Sequence, residues 1–385
     1  MRICLVSSSF YPATFYGGPI SATWDLSKKL ATKGIEIYVS TTNANGSNKL
    51  DVEHNMFLKK QDNFFVKYYN EQIINKISFA FIFGIWNDIK KSDVVYIQYL
   101  FHYTVLYSLL FGMLQNKKVI ICPRGSFSSF TLLNKLSFIK FLWISLFISP
   151  FSNKIIWQAS SYLEENDIKR NFPKAKIEII NDGVDFNSFQ DFQNVSRELM
   201  LYKFTKQNFE TVSNLFFSMG RLHKIKGFDV LIDAFSKFLK KKKNAKLLIA
   251  GGDDGEKEHL KNKILKLRIS NSVFLIGEIG FVDKRLLLNN CDYFTLASEF
   301  ESFGIVVAEA LACGKPIVLS NKTPWKDLEI NNCGILADND KESFFNAFVK
   351  IVNENFDSKV IKNYLKSNYD LEIIVKRFIK ILKNK

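Results

Sequence analysis

Short apolar segments alternate with helix-length segments along the sequence, and this alternation is the feature that most limits how the chain can fold. The pattern runs from residue 2 to residue 180 and restarts at residue 215. The intervening residues 186–212 are rich in Asn, Gln and Lys and contain no sustained apolar run. Strands that alternate with helices favour parallel sheets covered by helices. The sequence therefore predicts an α/β protein with two parallel-sheet domains and a cleft that faces the carboxyl ends of both sheets.

The length of 385 residues also suits two domains better than one. We expect an N-terminal domain at residues 1–190, a linker at 191–212 and a C-terminal domain at 213–365. Residues 366–385 predict a basic, amphipathic helix, which could pack on either domain, including back onto the N-terminal one.

The chain carries 53 Lys and Arg against 38 Asp and Glu, a formal net charge of +15. Such a balance favours an anionic partner, which could be a nucleic acid, an acidic membrane surface or a phosphorylated substrate. A lysine-rich composition with no such partner is the alternative. The five cysteines form no C-x-x-C pair, and most lie in or beside apolar runs. They predict free thiols of a reducing compartment, and with no signal-peptide pattern at the first strand we expect a cytoplasmic protein.

The longest apolar stretch is residues 136–151, LSFIKFLWISLFISPF. It is too short to span a bilayer and contains Lys140. It is therefore either a buried core helix or a helix that lies in a membrane interface.

The segment 297–316 predicts a polar elbow after a strand, then a helix from about Gly304 to Cys313. Glu301 lies in the elbow, and Glu309 lies inside the helix among apolar neighbours. A carboxylate in so apolar a helix is expected to face a site or a partner rather than bulk water.

The two carboxylates could be the acid and the nucleophile of a hydrolase. In that case both carboxyl groups would have to face the bond that is cleaved. At about 1.5 Å per residue, Glu309 lies ~7 Å down the helix from Gly304, while Glu301 stays above the helix N-terminus. The spacing therefore favours the binding of two parts of one ligand, such as the hydroxyl groups of a sugar and of a ribose. The amides of Ser302 and Phe303 and that of Gly304 have no acceptor within the helix and are expected to point at the same ligand.

Arg221 and Lys226 lie in one short loop between a predicted strand and a predicted helix. A planar guanidinium, an ammonium group and a helix N-terminus together suit a diphosphate. Gly17 and Gly18 precede the first helix, where they either let a ligand approach the backbone or form an ordinary flexible loop. The histidines show no metal-ligand spacing, and the order G-x-G-x-x-G does not follow the first strand, so neither a metal site nor a nicotinamide site is predicted.

These motifs together resemble the GT4 family of retaining glycosyltransferases, within glycosyl transferases group 1. The segment from Glu301 to Glu309 is similar to the E-x7-E signature of the family, and residues 220–227 are similar to its G-R-x4-K-G element. The N-G-V-D element resembles residues 181–185, NDGVD, with one residue inserted, and the glycine pair of the first loop resembles residues 17–18. The resemblance implies the GT-B fold of two Rossmann-like domains, the first binding the acceptor and the second the nucleotide-sugar donor.

The resemblance also implies roles for single residues. It implies that Arg221 and Lys226 bind the donor diphosphate and stabilise the leaving group, that Glu301 contacts the transferred sugar and that Glu309 holds the ribose. Many members have a histidine before a glycine where this chain has Pro123-Arg124-Gly125, so the resemblance leaves Arg124 as a catalytic candidate near the donor. The remaining donor-binding positions that it implies are Gly17, Gly18, Gly277, Glu278, Ile279, Ser302, Phe303, Gly304 and Ile305.

The implied activity is a metal-independent transfer of a hexose-type sugar with retention, without a cofactor, onto a glycan or lipid-linked acceptor. The family implies surface polysaccharide synthesis (O-antigen, lipopolysaccharide or capsule) at the inner face of the cytoplasmic membrane, with a peripheral contact to anionic lipid and no nucleic acid. Two alternatives stay open: a non-catalytic nucleotide-sugar-binding protein, and a sugar-nucleotide epimerase on the same fold.

Overall fold

The computed structural model describes residues 1–13, 15, 17–73, 77–133, 136–190 and 195–383. The chain forms two compact units. The first unit contains Met1–Gly183 together with the segment that begins at Leu371, and the second contains Val184–Asp370.

A mostly parallel sheet organises the first unit. The strands of its described residues are β1 (Arg2–Val6), β2 (Glu36–Thr42), β3 (Ala44–Asn45), β4 (Asn48–Lys49), β5 (Phe57–Gln61), β6 (Phe64–Tyr69), β7 (Val94–Gln98), β8 (Lys118–Cys122), β9 (Ile156–Ala159) and β10 (Lys176–Ile179). The sheet order is β10-β9-β8-β7-β1-β2-β6-β5, and each neighbouring pair is parallel except β5 and β6. The short β3 and β4 pair with each other as an antiparallel hairpin.

Helices cover the sheet of the first unit. They are α1 (Gly18–Thr32), α2 (Phe79–Lys90), α3 (Tyr103–Leu114), α4 (Ser129–Leu132), α5 (Ser137–Trp143) and α6 (Tyr162–Asn171). Every residue of β7 is buried. Such a continuous run of buried side chains is what a parallel strand covered on both faces requires.

The second unit repeats this architecture. Its described strands are β11 (Leu215–Met219), β12 (Lys246–Ala250), β13 (Val273–Gly277), β14 (Tyr293–Leu296), β15 (Ile317–Ser320) and β16 (Gly334–Ala337). They form one parallel sheet in the order β13-β12-β11-β14-β15-β16. The helices are α7 (Arg197–Thr205), α8 (Phe228–Phe238), α9 (Lys257–Lys266), α10 (Phe281–Asn290), α11 (Ile305–Ala312), α12 (Lys341–Ile351) and α13 (Ser358–Tyr369). The predicted α/β fold with two parallel, helix-covered sheets is confirmed.

The last helix, α14 (Leu371–Lys383), belongs to the first unit. Its buried Phe378 ring lies 4.9 Å from the ring of Tyr96 in β7. At its first turn, Glu372 forms ion pairs with Lys29 of α1 and with Lys33, which directly follows α1. The chain therefore returns to the first unit after completing the second.

The boundaries of the units differ from the predicted limits of 190 and 213. The second unit begins at Val184 because Phe186 and Phe189 are buried in its core, and α7 packs there as well. Part of the predicted linker is thus α7, while residues 191–194 lie outside the described residues. Residues 384 and 385 of the predicted C-terminal helix lie outside them too.

The apolar stretch at 136–151 is not a core helix along its whole length. No residue of α5 is buried, and Phe138 is 77 % exposed. The chain continues in a turn of π-helix, Ile144–Ile148, whose Ile144 and Ile148 are buried and anchor the segment. Among the described residues, no helix is long and apolar enough to cross a membrane.

Candidate active site

The site residues predicted for the second unit come together at one edge of its sheet. Loop 220–227 follows β11, loop 251–256 follows β12, loop 278–280 follows β13 and loop 297–304 follows β14. These four strands are neighbours in the order β13-β12-β11-β14 and run parallel. Their carboxyl ends therefore lie side by side, which is where open α/β sheets bind ligands.

Lys226 and Glu301 form the centre of this cluster. The Lys226 Nζ lies 2.5 Å from Glu301 Oε1, and Ser298 Oγ donates a hydrogen bond of 2.7 Å to the same oxygen. The two charged side chains are 17 % and 11 % exposed. The diphosphate-binding loop and the first carboxylate of the E-x7-E signature thus meet in one partly desolvated place, where charge interactions are stronger than in water.

Gly227 allows the two loops to meet. It has φ 63°, and a Cβ at this position would lie 2.1 Å from the carbonyl oxygen of Ala297. Glu299 N–H donates to the carbonyl of Ile225 across the same contact, at 2.8 Å. A residue other than glycine would force the two loops apart, because both the conformation and the space exclude a side chain.

Arg221 is held less tightly than Lys226. Its side chain is 45 % exposed, and its Nη1 lies 2.5 Å from Asp254 Oδ2 in the loop after β12. An exposed pair of this kind contributes little to stability. The guanidinium can therefore exchange Asp254 for another anion at small cost.

The elbow before α11 is fixed by its backbone. Gly304 precedes the helix with φ 85°, in the left-handed region that favours glycine. The Trp325 indole donates a hydrogen bond of 2.6 Å to the carbonyl of Phe303. The predicted positions Ser302, Phe303 and Gly304 thus form the elbow, and Ile305 is the first residue of α11, whose first amides have no acceptors within the helix.

Glu309 lies inside α11 and is only 6 % exposed. Its Oε1 lies 2.5 Å from the Nζ of Lys284 in α10. The pairing of Lys284 with Glu309 was not predicted from the sequence, because no local pattern indicates a partner 25 positions away on another helix.

A depression of about 360 Å³ adjoins the loops after β12 and β13. Two of the expected donor-binding residues, Gly277 and Glu278, line it, while Ile279 is not among its lining residues. Its other lining residues are Leu222, Gly251, Gly252, Asp253, Lys257, Leu275 and Ile276.

Arg124, the catalytic candidate of the first unit, lies in a buried polar network. Its side chain is 1 % exposed, and its Nη1 lies 2.5 Å from Asp182 Oδ1. Its Nε donates to Gln98 at 2.8 Å and its Nη2 to Thr23 at 3.2 Å. Although burial alone would lower it, the Asp182 carboxylate raises the pKa of Arg124 above its ordinary value. These contacts join the P-R-G loop to the NDGVD turn and favour a positioning role within the first unit.

Glu164 holds the loop that carries Arg124. One carboxylate oxygen accepts a hydrogen bond of 2.5 Å from the Gly125 amide, and the other accepts from the amide and the hydroxyl of Ser160. Burial raises the pKa of Glu164, and the bonds from Ser160 and Gly125 oppose that rise.

The glycine pair of the first loop stands at the start of α1. Gly17 has φ 74° and lies just before the helix, and Gly18 is its first residue. A Cβ built at Gly17 would meet no described atom within 4 Å, so space is open beside this backbone. Within the part of the chain that the structure describes, no three His, Cys, Asp or Glu residues form a group that could hold a metal ion.

Part of the chain matches a known protein family. Residues 202–368 match the family described as glycosyl transferases group 1. The matching residues all lie within the second unit. The predicted resemblance to glycosyl transferases group 1 is thereby confirmed.

Curated proteins match the chain over different lengths. The alpha-1,3/1,6-mannosyltransferase of Dictyostelium discoideum is 28 % identical over 55 % of this chain and 53 % of its own. A capsular polysaccharide biosynthesis glycosyltransferase of Staphylococcus aureus is 29 % identical over 48 % of each chain. An uncharacterized glycosyltransferase of Methanocaldococcus jannaschii is 25 % identical over 99 % of this chain and 98 % of its own. The chain spans about half, or less, of the length of the first curated relatives that it matches.

Solved structures of the GT-B fold match the whole chain. The Anabaena protein HepE, crystallised in complex with UDP and glucose, superposes with a TM-score of 0.77 at 18 % identity, covering 99 % of both chains. This likeness shows the fold, and the predicted GT-B fold is confirmed.

Proposed function

We propose that the protein is a retaining, metal-independent glycosyltransferase of the GT4 type. It moves a hexose-type sugar from a nucleotide-diphosphate donor to a glycan or lipid-linked acceptor, and it needs no cofactor. The observation that carries the proposal is the Lys226–Glu301 pair at the start of α11, with Arg221 in the same loop. These groups provide what a departing diphosphate and a sugar need at one place: cations, helix amides and a carboxylate.

In this proposal the cations act on the leaving group. The bond from the anomeric carbon to the diphosphate breaks, and the acceptor oxygen bonds to the same face of that carbon. The acceptor proton passes to the departing phosphate oxygen. Arg221 and Lys226 stabilise the negative charge that develops on the diphosphate. Glu301 and Glu309 each have a lysine partner, which suits binding of hydroxyl groups better than nucleophilic attack.

The nucleoside of the donor would lie beside Glu309 and the depression that Gly277 and Glu278 line. Glu309 would accept hydrogen bonds from the ribose hydroxyls. UDP is bound by the Anabaena relative in fold, so a UDP-sugar is the first donor to test.

The deciding experiment is the release of free nucleoside diphosphate from UDP-, GDP- and ADP-sugars, with and without glycan or lipid-linked acceptors. We expect release from one nucleotide class that depends on the acceptor, with the anomeric configuration retained in the product and full activity in EDTA. Tight donor binding with no release would favour the nucleotide-sugar-binding protein. Conversion of the sugar without release would favour the epimerase.

The acceptor side is proposed from relatives. The capsular polysaccharide relative supports a role in bacterial surface polysaccharide synthesis, of the O-antigen, lipopolysaccharide or capsule type. Such a role places the protein in the cytoplasm, at the inner face of the membrane.

We further propose that α5 touches anionic membrane. Phe138, Ile139, Phe141 and Leu142 are all exposed on this short helix, and Lys140 lies among them. The net charge of +15 adds attraction to anionic lipid, at about 1 kcal/mol per basic residue near the surface. Apolar side chains that enter the acyl boundary beside such charges are typical of interfacial helices.

Flotation with liposomes of anionic or zwitterionic lipid tests the contact. The double variant Phe138→Ser with Phe141→Ser should reduce binding to anionic liposomes by at least about tenfold, because each buried Phe contributes roughly 1.5–3 kcal/mol. Ile330→Ser, at an exposed apolar position of the second unit, is the matched control and should float as the wild type does. Absence of wild-type flotation at low salt would refute the membrane contact.

A further inference from the structure

A buried ion pair stands behind the proposed ribose-binding carboxylate. Lys284 of α10 is 9 % exposed and Glu309 of α11 is 6 % exposed, and their Nζ and Oε1 atoms are 2.5 Å apart. Within the described residues, Lys284 is the one side chain that bonds to the Glu309 carboxylate. The ammonium group of Lys284 also lies over the Phe281 ring, with its Nζ 5.4 Å from the ring centre.

This pairing limits what the carboxylate can do. A buried charge without a partner is strongly unfavourable, so the Glu309 side chain cannot turn away from Lys284 at low cost. The contact uses Oε1, and it sets the direction in which the second oxygen points. A carboxylate with one oxygen engaged in this way presents a single, fixed acceptor.

We propose that Lys284 is a positioning residue for nucleotide recognition: it fixes Glu309 so that Oε2 accepts a hydrogen bond from one hydroxyl of the ribose. The inference rests on the proposed function, in which Glu309 binds the ribose, and adds a residue and a specificity to it. Without Lys284, the carboxylate loses its cation and its orientation, and with them the preference for a ribonucleotide.

If the Lys284–Glu309 pair only stabilised the fold, the expected result would be different. Buried pairs are weak evidence for a stability role, since apolar replacements are often neutral. A stability role would move the melting temperature and leave the ratio of affinities for ribo- and deoxyribonucleotides unchanged. That ratio is therefore the quantity to measure.

The experiment uses the full chain and isothermal titration calorimetry. UDP, GDP and ADP are first compared on the wild type, and the one that binds is then compared with its 2′-deoxy and 3′-deoxy forms. The variants are Lys284→Met, which keeps the stem without the charge, and Lys284→Arg, which keeps the charge. Lys246→Met is the matched control, because Lys246 is 8 % exposed in the same unit and its Nζ donates to the backbone carbonyl of Asn271.

We expect the wild type to lose roughly 10- to 100-fold in affinity when the hydroxyl bound by Glu309 is removed, as for a hydrogen bond to a charged group. Lys284→Met should bind the ribonucleotide weaker by a similar factor and should no longer distinguish it from that deoxy form. Lys284→Arg should recover most of the preference, and Lys246→Met should retain all of it. Lys284→Gln, which keeps a donor, replaces Lys284→Met if circular dichroism shows the latter unfolded.

Two results would overturn the inference, and they are distinguishable. If Lys284→Met melts at a lower temperature but keeps the wild-type preference, Lys284 is structural and the proposed function stands. If the wild type binds none of the three nucleotides, the proposed function fails and this inference fails with it.

Discussion

The two basic side chains of loop 220–227 differ in how they are held, yet both are expected to matter for turnover. Lys226 is partly buried against Glu301, and Arg221 is half-exposed against Asp254. Each carboxylate keeps its cation near the place where a diphosphate would bind. Arg221→Ala or Lys226→Ala should lower kcat by about 10²–10³, because each removes a fixed donor to the leaving group.

Steady-state kinetics on the donor that releases nucleoside diphosphate checks this expectation. Lys224→Ala is the matched control, since Lys224 is an exposed lysine of the same turn. Near-normal turnover in both the Arg221 and Lys226 variants would contradict the leaving-group assignment.

His102 gives the first unit a pH dependence. It precedes α3, its Nδ1 accepts from the amide of Thr104, and burial lowers the pKa of His102 to about 4. Between this value and the ordinary pKa of about 6.5, the unfolded chain binds a proton that the folded chain does not, so stability falls as the pH falls through this window. The full effect amounts to about 3 kcal/mol.

His102→Asn should flatten this dependence, because Asn can still accept the Thr104 amide but does not titrate. Urea unfolding at intervals from pH 7 to pH 4 measures it. Equal slopes of unfolding free energy against pH in the wild type and the variant would contradict the assignment to His102.

Among the helices, α14 is expected to contribute to the stability of the first unit, because its buried side chains belong to the core of that unit. Phe378 is fully buried and packs on Tyr96 of β7. Phe378→Ala should lower the free energy of unfolding by about 3–5 kcal/mol, through lost burial and the cavity left behind. Urea unfolding of the full chain measures the change, and Lys376→Ala, at an exposed position of the same helix, should stay within about 0.5 kcal/mol of the wild type. A small effect of Phe378→Ala would mean that α14 is dispensable to the first unit.

The elements and the edge of the sheet that carries the site could be predicted from the sequence. Strands buried along their whole length, such as β7 and β12, appear as continuous apolar runs, and a parallel sheet places the loops after neighbouring strands at one edge. Arg221, Lys226 and Glu301 all lie in loops after strands of one such sheet, so their common location follows from this rule.

Side-chain pairings between distant elements could not be predicted in this way. The partners of Arg124 lie at Thr23, Gln98 and Asp182, and no local pattern selects them. The same holds for Lys284 and Glu309, which lie on different helices. The exposure of α5 also depends on three-dimensional packing, because an apolar run of that length fits a core helix equally well.

At the scale of the whole molecule, each unit has a sheet and a buried core of its own. The core of the second unit surrounds β11, β12 and β14, and Arg221, Lys226, Glu301 and Glu309 of the proposed nucleotide site lie on its loops and on α11. The core of the first unit includes α14. A nucleotide that binds the native second unit should therefore stabilise that unit against opening, by about 2.7 kcal/mol at a hundred times its Kd.

Hydrogen exchange of the full chain, followed by mass spectrometry of its peptides, tests whether bound nucleotide stabilises the second unit. With saturating nucleotide, we expect slower exchange in peptides from loops 220–227 and 297–304 and from the strands β11 and β12. Peptides from β1 and β7 should exchange as they do without nucleotide, because their protection arises from the first core. Equal protection of the peptides from both units would show that the two units open together. Protection confined to the peptides from β1 and β7 would show that the nucleotide binds the first unit, which contradicts the proposed site.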